Sequence, residues 1–146
     1  MNALYQSNRP GVLGTIAAAV ISVAAYSGMA FADQVKVMLS GDHEVPAVKT
    51  KATGSGTITV NADMSVSGSV TTTGIAGTGA HIHMGAAGKN GPVAVPLDKS
   101  GDNAWSVKAG AKLTDDQYKA YKAGDLYVNV HSAENKGGEI RGQLKP

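Results

Sequence analysis

The stretch AHIHMG, residues 80–85, sets two imidazoles two positions apart, at His81 and His83, and a third closes LYVNVH at His131. The chain has 146 residues and four histidines, the remaining one being His43 in LSGDHEVPAV. Cysteine is absent, so any soft-metal site must be built from His, Met and carboxylates. Several imidazoles without thiolate suit copper(II) or zinc, and the affinity order of divalent ions puts copper ahead. Zinc held by three histidines with an open position would point to hydrolysis or hydration, which needs a general base. Glu44 and Glu139 are the candidates, and neither carries a telling spacing. The plain alternative is a set of outward histidines that only hydrogen-bond, and from the residues alone both readings stay open.

Strand phase bears on both. Side chains alternate across a strand, so His81 and His83 share one face while Ala80, Ile82 and Met84 share the other. In the later strand Leu126, Val128 and Val130 form an apolar row, and Tyr127, Asn129 and His131 form the opposite one. If both apolar rows face the core and the strands are neighbours, the three imidazoles meet at cross-strand distance. His43 follows a bend marked by Gly41 and Pro46, so alternation cannot phase it; it is expected either to close the ring of nitrogens or to remain a loop residue. Met38 and Met84 are candidate thioether ligands, but Met84 falls on the face of Ile82, which favours core packing. Glu139 and Arg141 share one face of the last strand, opposite Ile140. With Asn129 and Glu44 they are candidates for orienting the ligands, the alternative for the first two being an exposed cross-strand pair worth little.

The elements that must hold these groups read as short strands punctuated by glycine. They are Gln34 to Leu39, then 55–60 and 64–74 joined by a turn at Asn61-Ala62-Asp63, then 80–84, 93–97, 104–109, 125–131 and 139–144, the spacing of an antiparallel sandwich or barrel. One helix is expected near 114–123, with Thr114 and Gln117 as a capping box and Gly124 closing it. Tyr118 and Tyr121 should face the sheet together, Trp105 should lie in the core, and the Gly/Thr-rich segment from Thr71 to Gly79 is expected to be a mobile loop.

Residues 1–32 read as a cleaved secretory leader, with Arg9 before an uncharged apolar run and Ala30-Phe31-Ala32 as the small-x-small site. The mature chain then begins near Asp33, and residues 33–146 form one domain in the periplasm or outside the cell. The net charge of +2 includes Arg9, so the mature domain is nearly balanced, which gives no reason to expect a nucleic-acid or acidic-lipid partner. There is no G-x-S-x-G, no phosphate-cradling loop and no serine in phase with His and Asp; no catalytic residue is assigned.

Three segments together, LSGDHEVPAV, AHIHMGAAGKNGPVAVPL and LYVNVHSAENKGGEIRGQL, resemble the CHRD (chordin-type) domain in the family's own order, over roughly Val35 to Leu144. The resemblance implies a Greek-key antiparallel β-sandwich or barrel, like that of Cu,Zn superoxide dismutase or immunoglobulin domains. In animal chordin such domains belong to an extracellular antagonist of growth factors. For stand-alone bacterial members it implies copper binding through the H-x-H pair and the final histidine, here His81, His83 and His131. At the position before the EVP glutamate the family commonly has Asn or Gln; this chain has His43, which would add a fourth imidazole. The expectation is therefore an exported copper-binding protein for storage, delivery or protection. Its partners would be the metal ion and another exported copper protein, and a homodimer sharing ligands is compatible with it. A metal-free protein-interaction module is the first alternative. A dismutase-like redox enzyme is the second, although the dismutase's bridging histidine, zinc loop, disulfide cysteines and arginine loop have no matching residues.

Overall fold

Eight alternating runs become eight antiparallel strands in the computed structural model, which describes residues 32–146. They are β1 (Asp33–Ser40), β2 (Thr53–Val60), β3 (Val66–Thr73), β4 (Gly77–Met84), β5 (Val93–Gly101), β6 (Ala104–Val107), β7 (Leu126–Ser132) and β8 (Ile140–Leu144). A 3-10 turn over Gly41–His43 follows β1, and helix α1 (Asp115–Lys122) lies between β6 and β7. The leader expected over residues 1–32 lies, apart from Ala32, outside the described residues.

The strands close into a barrel in the order β1-β2-β3-β6-β5-β4-β7-β8, with β8 returning to β1 where Ser40 pairs with Arg141. β4, β5 and β6 run as hairpins, with β3 set beside β6 and β7 beside β4. This is a Greek-key arrangement on both flanks. It fulfils the expected fold class in its closed form, and closure leaves no unpaired strand edge.

Alternation fills the interior. Val35, Val37 and Leu39 of β1, Ala80 and Ile82 of β4, Leu126, Val128 and Val130 of β7, and Ile140 and Leu144 of β8 are all buried, and Trp105 joins them. The α1 capping box forms as expected, between Thr114 and Gln117. Tyr121 is fully buried and its hydroxyl donates to the Asp33 carbonyl at 3.4 Å, while its ring packs 6.3 Å from that of Tyr118. The helix thus seals the barrel end where β1 begins. The expected loop from Thr71 to Gly79 is instead mostly strand: β3 runs to Thr73 and β4 starts at Gly77, leaving three connecting residues. Threonine favours the pleated conformation, and the ladder pairing Thr53 with Thr73 overrides the local glycine content.

A second buried layer lies outside the barrel. Tyr127, Asn129 and Arg141 point away from the core, yet each is almost completely buried. Three connections cover them: residues 41–52, 85–92 and 133–139. Asn90 ties the first two together by donating to the Val45 carbonyl at 2.7 Å, and Thr50 ties the first to the third by donating to Glu139 at 2.7 Å.

Candidate metal centre

The β4–β7 register sets His81 opposite Asn129, His83 opposite Tyr127 and Gly79 opposite His131. His131 is therefore diagonal to His81, and all three imidazoles stand on the outer face because Ala80, Ile82, Val128 and Val130 fill the inner one. Ring centroids are 5.5 Å apart for His81 and His83, 5.0 Å for His81 and His131, and 6.1 Å for His83 and His131. One nitrogen from each ring lies within 4.8 Å of the other two. The rings are half-buried, so the cluster is shielded but reachable.

Two loop carbonyls fix the tautomers. His83 Nδ1 lies 2.9 Å from the Gly91 carbonyl and His131 Nδ1 lies 2.9 Å from that of Lys136. A carbonyl can only accept, so each Nδ1 carries the proton and each Nε2 keeps its lone pair. His131 Nε2 in turn lies 3.0 Å from His81 Nδ1. Burial, followed by the neighbouring His131 and His83, pulls the His81 ring below the usual histidine range. Burial does the same for His83 against the opposing hydrogen bond to Gly91. Both are neutral at pH 7, the form that binds metals.

These residues fit a metal ion. Two nitrogens each about 2.0–2.1 Å from one ion and at a near-right angle sit roughly 3 Å apart, the spacing of His81 Nδ1 and His131 Nε2. His83 Nε2 is buried with no hydrogen-bond partner, and such an orphaned lone pair is costly unless a positive group meets it.

The remaining expected residues divide. His43 does not join the cluster. The 3-10 turn carries its ring to the β8–β1 seam, where Nδ1 lies 3.3 Å from the Arg141 carbonyl, whereas the three other histidines stand over the β4–β7 seam. There it lines a cavity of about 470 Å³ with Met38, Glu44, Arg141 and Gln143. Glu139 and Arg141 are not an exposed pair. Arg141 is 1% exposed, lies 3.4 Å over the Tyr127 ring and donates to Asn90, the Ala86 carbonyl and Gln143. Glu139 accepts from Thr50 and Asn135 rather than from the histidines. Hydrogen bonding, from Ser132 first, holds its carboxyl below the ordinary range. Glu44 is buried, which pushes its carboxyl up to about 7 against the pull of Arg141. Asn129 stands opposite His81 in the ladder, with its Nδ2 donating to the Gly137 carbonyl at 3.4 Å.

Sequence reasoning missed Tyr127 and the two carbonyls. The Tyr127 ring stacks on His83 at 5.0 Å and nearly parallel, with Arg141 packed on the same ring from the β8 side. Its place in the outward row of β7 was the available clue. The Gly91 and Lys136 carbonyls belong to loops and leave no trace in residue type.

Fold and site together define a class: a closed Greek-key barrel whose outer face holds a histidine cluster under three loops. The chain belongs to the CHRD domain family, whose model matches residues 35–144, from the first strand to the end of the last. It matches no curated protein and no solved structure.

Proposed function

We propose that the protein is an exported copper-binding protein in which His81 Nδ1, His83 Nε2 and His131 Nε2 coordinate copper(II) for storage, delivery or protection. The observation that carries this is the convergence of three imidazoles, two of them locked by loop carbonyls at Nδ1 so that each Nε2 is unprotonated and turned to the cluster. An all-imidazole set favours copper over other divalent ions of the first row. Export is supported by the leader-like residues 1–32 and by membership of a family of extracellular domains. Among the described residues no helix is long and apolar enough to cross a membrane.

The chain's own residues set the terms of binding. To offer Nδ1, His81 must carry its proton on Nε2, which its half-buried position permits. Gly91 and Lys136 hold the other two rings, so little rotamer freedom is lost on coordination. Protons compete for the same lone pairs. Because burial depresses His81 and His83, that competition begins at lower pH than for free imidazole.

Calorimetric titration of the metal-free protein with copper(II) at pH 7 tests the assignment. The parent should bind one equivalent, and His81→Ala should lose at least about tenfold in affinity. Equal affinity in the two proteins would remove the cluster from copper binding.

A further inference from the structure

The three histidines leave one side of the cluster to a residue that no metal-ligand pattern singles out. Asn129 sits directly opposite His81 in the ladder, between Tyr127 and His131 on its own strand, and is 1% exposed. Its amide is oriented by its neighbours. Nδ2 donates to the Gly137 carbonyl at 3.4 Å and lies, with Glu44 Oε1, against Gly138. The nitrogen end therefore faces Glu44 and the 133–139 loop, and the oxygen end points away from them. Asn129 Oδ1 is buried without a hydrogen-bond partner, and so is His83 Nε2. Two buried acceptor atoms on the outer face of neighbouring strands, each without a donor, are costly to hold there unless a proton donor or a cation meets them.

We infer that Asn129 Oδ1 is the fourth protein donor to the metal held by His81, His83 and His131, the place that His43 does not reach. This rests on the copper reading above. An amide oxygen would be a weaker donor to copper(II) than the three imidazole nitrogens beside it. Glu44 and Gly137 act as positioning partners: they hold the nitrogen end, so the amide cannot turn it toward the metal. Gly138 makes room for this arrangement, since a Cβ there would lie 2.3 Å from Glu44 Oε1 and 2.6 Å from Asn129 Nδ2.

The probe is copper(II) alone, added to metal-free parent, Asn129→Leu, Asn129→Ser and His43→Ala proteins. Binding is read by titration, and the ligand field by electron paramagnetic resonance and the visible d–d band. The parent should give a nitrogen-rich signal. Asn129→Leu and Asn129→Ser should shift the parallel g value and the d–d band and weaken binding about tenfold, while His43→Ala should match the parent. Asn129→Asp, made in a Glu44→Gln background so that no second carboxylate opposes it, should bind more tightly than Glu44→Gln alone. Melting of the metal-free proteins identifies a variant that has failed to fold, and the serine and aspartate forms then decide. Unchanged spectra and affinity in folded Asn129 variants would overturn the inference while leaving the three-histidine site standing. A parent with no nitrogen-coordinated copper would overturn the copper reading itself.

Discussion

Loop carbonyls hold two of the three rings of the cluster at Nδ1, and a buried carboxyl lies near them. Glu44 is 6% exposed and its carboxyl is pushed up to about 7 by burial, with Arg141 pulling the other way. A carboxyl raised above its unfolded value supports the fold most at low pH and loses that support as pH rises through about 4.5 to 7. Between pH 5 and pH 8 the metal-free parent should therefore lose stability relative to Glu44→Gln, by up to about 3 kcal/mol. Denaturant melts of both proteins across that range check it; parallel curves would show that Glu44 titrates normally. The comparison must be made between variants because the half-buried His81 and His83, held below the usual histidine range, act in the opposite sense, costing stability as pH falls below about 6.5.

At the scale of elements, the site is a product of one register and three loops. Pairing of β4 with β7 brings the H-x-H pair and His131 together, and a slip of β4 by one residue would turn His81 and His83 inward, away from His131. The 85–92 loop then supplies the Gly91 carbonyl to His83 and the Ala86 carbonyl to Arg141. That loop must pass hard against β4: a Cβ on residue 91 would lie 1.7 Å from the Met84 carbonyl oxygen. Gly91→Ala should force the loop outward, lowering the melting temperature by several degrees, consistent with an overpacking cost of about 1–3 kcal/mol. It should also weaken copper binding by freeing the His83 ring. A variant that melts lower yet binds copper as the parent does would show that the Gly91 carbonyl is dispensable for ring placement.

At the scale of the whole molecule, the barrel has a continuous apolar core of its own and the histidine cluster lies on its outside. Copper should stabilise the native state by mass action, about 2.7 kcal/mol at a free concentration one hundred times the dissociation constant. The added protection should be local. Amide hydrogen exchange should slow over residues 85–92 and 133–139, whose carbonyls hold the rings, and change little around α1 at the barrel end. Protection spread evenly over α1 and the β2–β3 hairpin would point to a binding site elsewhere.

Local patterning in the sequence determined a good deal. The period-two runs located all eight strands and the facing of β4 and β7, because an apolar row has one stable destination and its opposite row follows by geometry. Thr114 and Gln117 marked the helix for a similar reason: a capping box uses only near neighbours. Strand neighbours, by contrast, are chosen by closure of the barrel, and only the tertiary structure settled that β4 lies beside β7 and that Thr71 to Gly79 is strand rather than loop. His43 shows the limit most clearly. Its direction depends on a turn packed against β8, a contact between residues nearly one hundred positions apart, whereas residue type alone suggested a fourth imidazole. The burial of Tyr127, Asn129 and Arg141 on the outside of the barrel was equally hidden, since three separate loops must fold over that face before a polar row becomes a second interior.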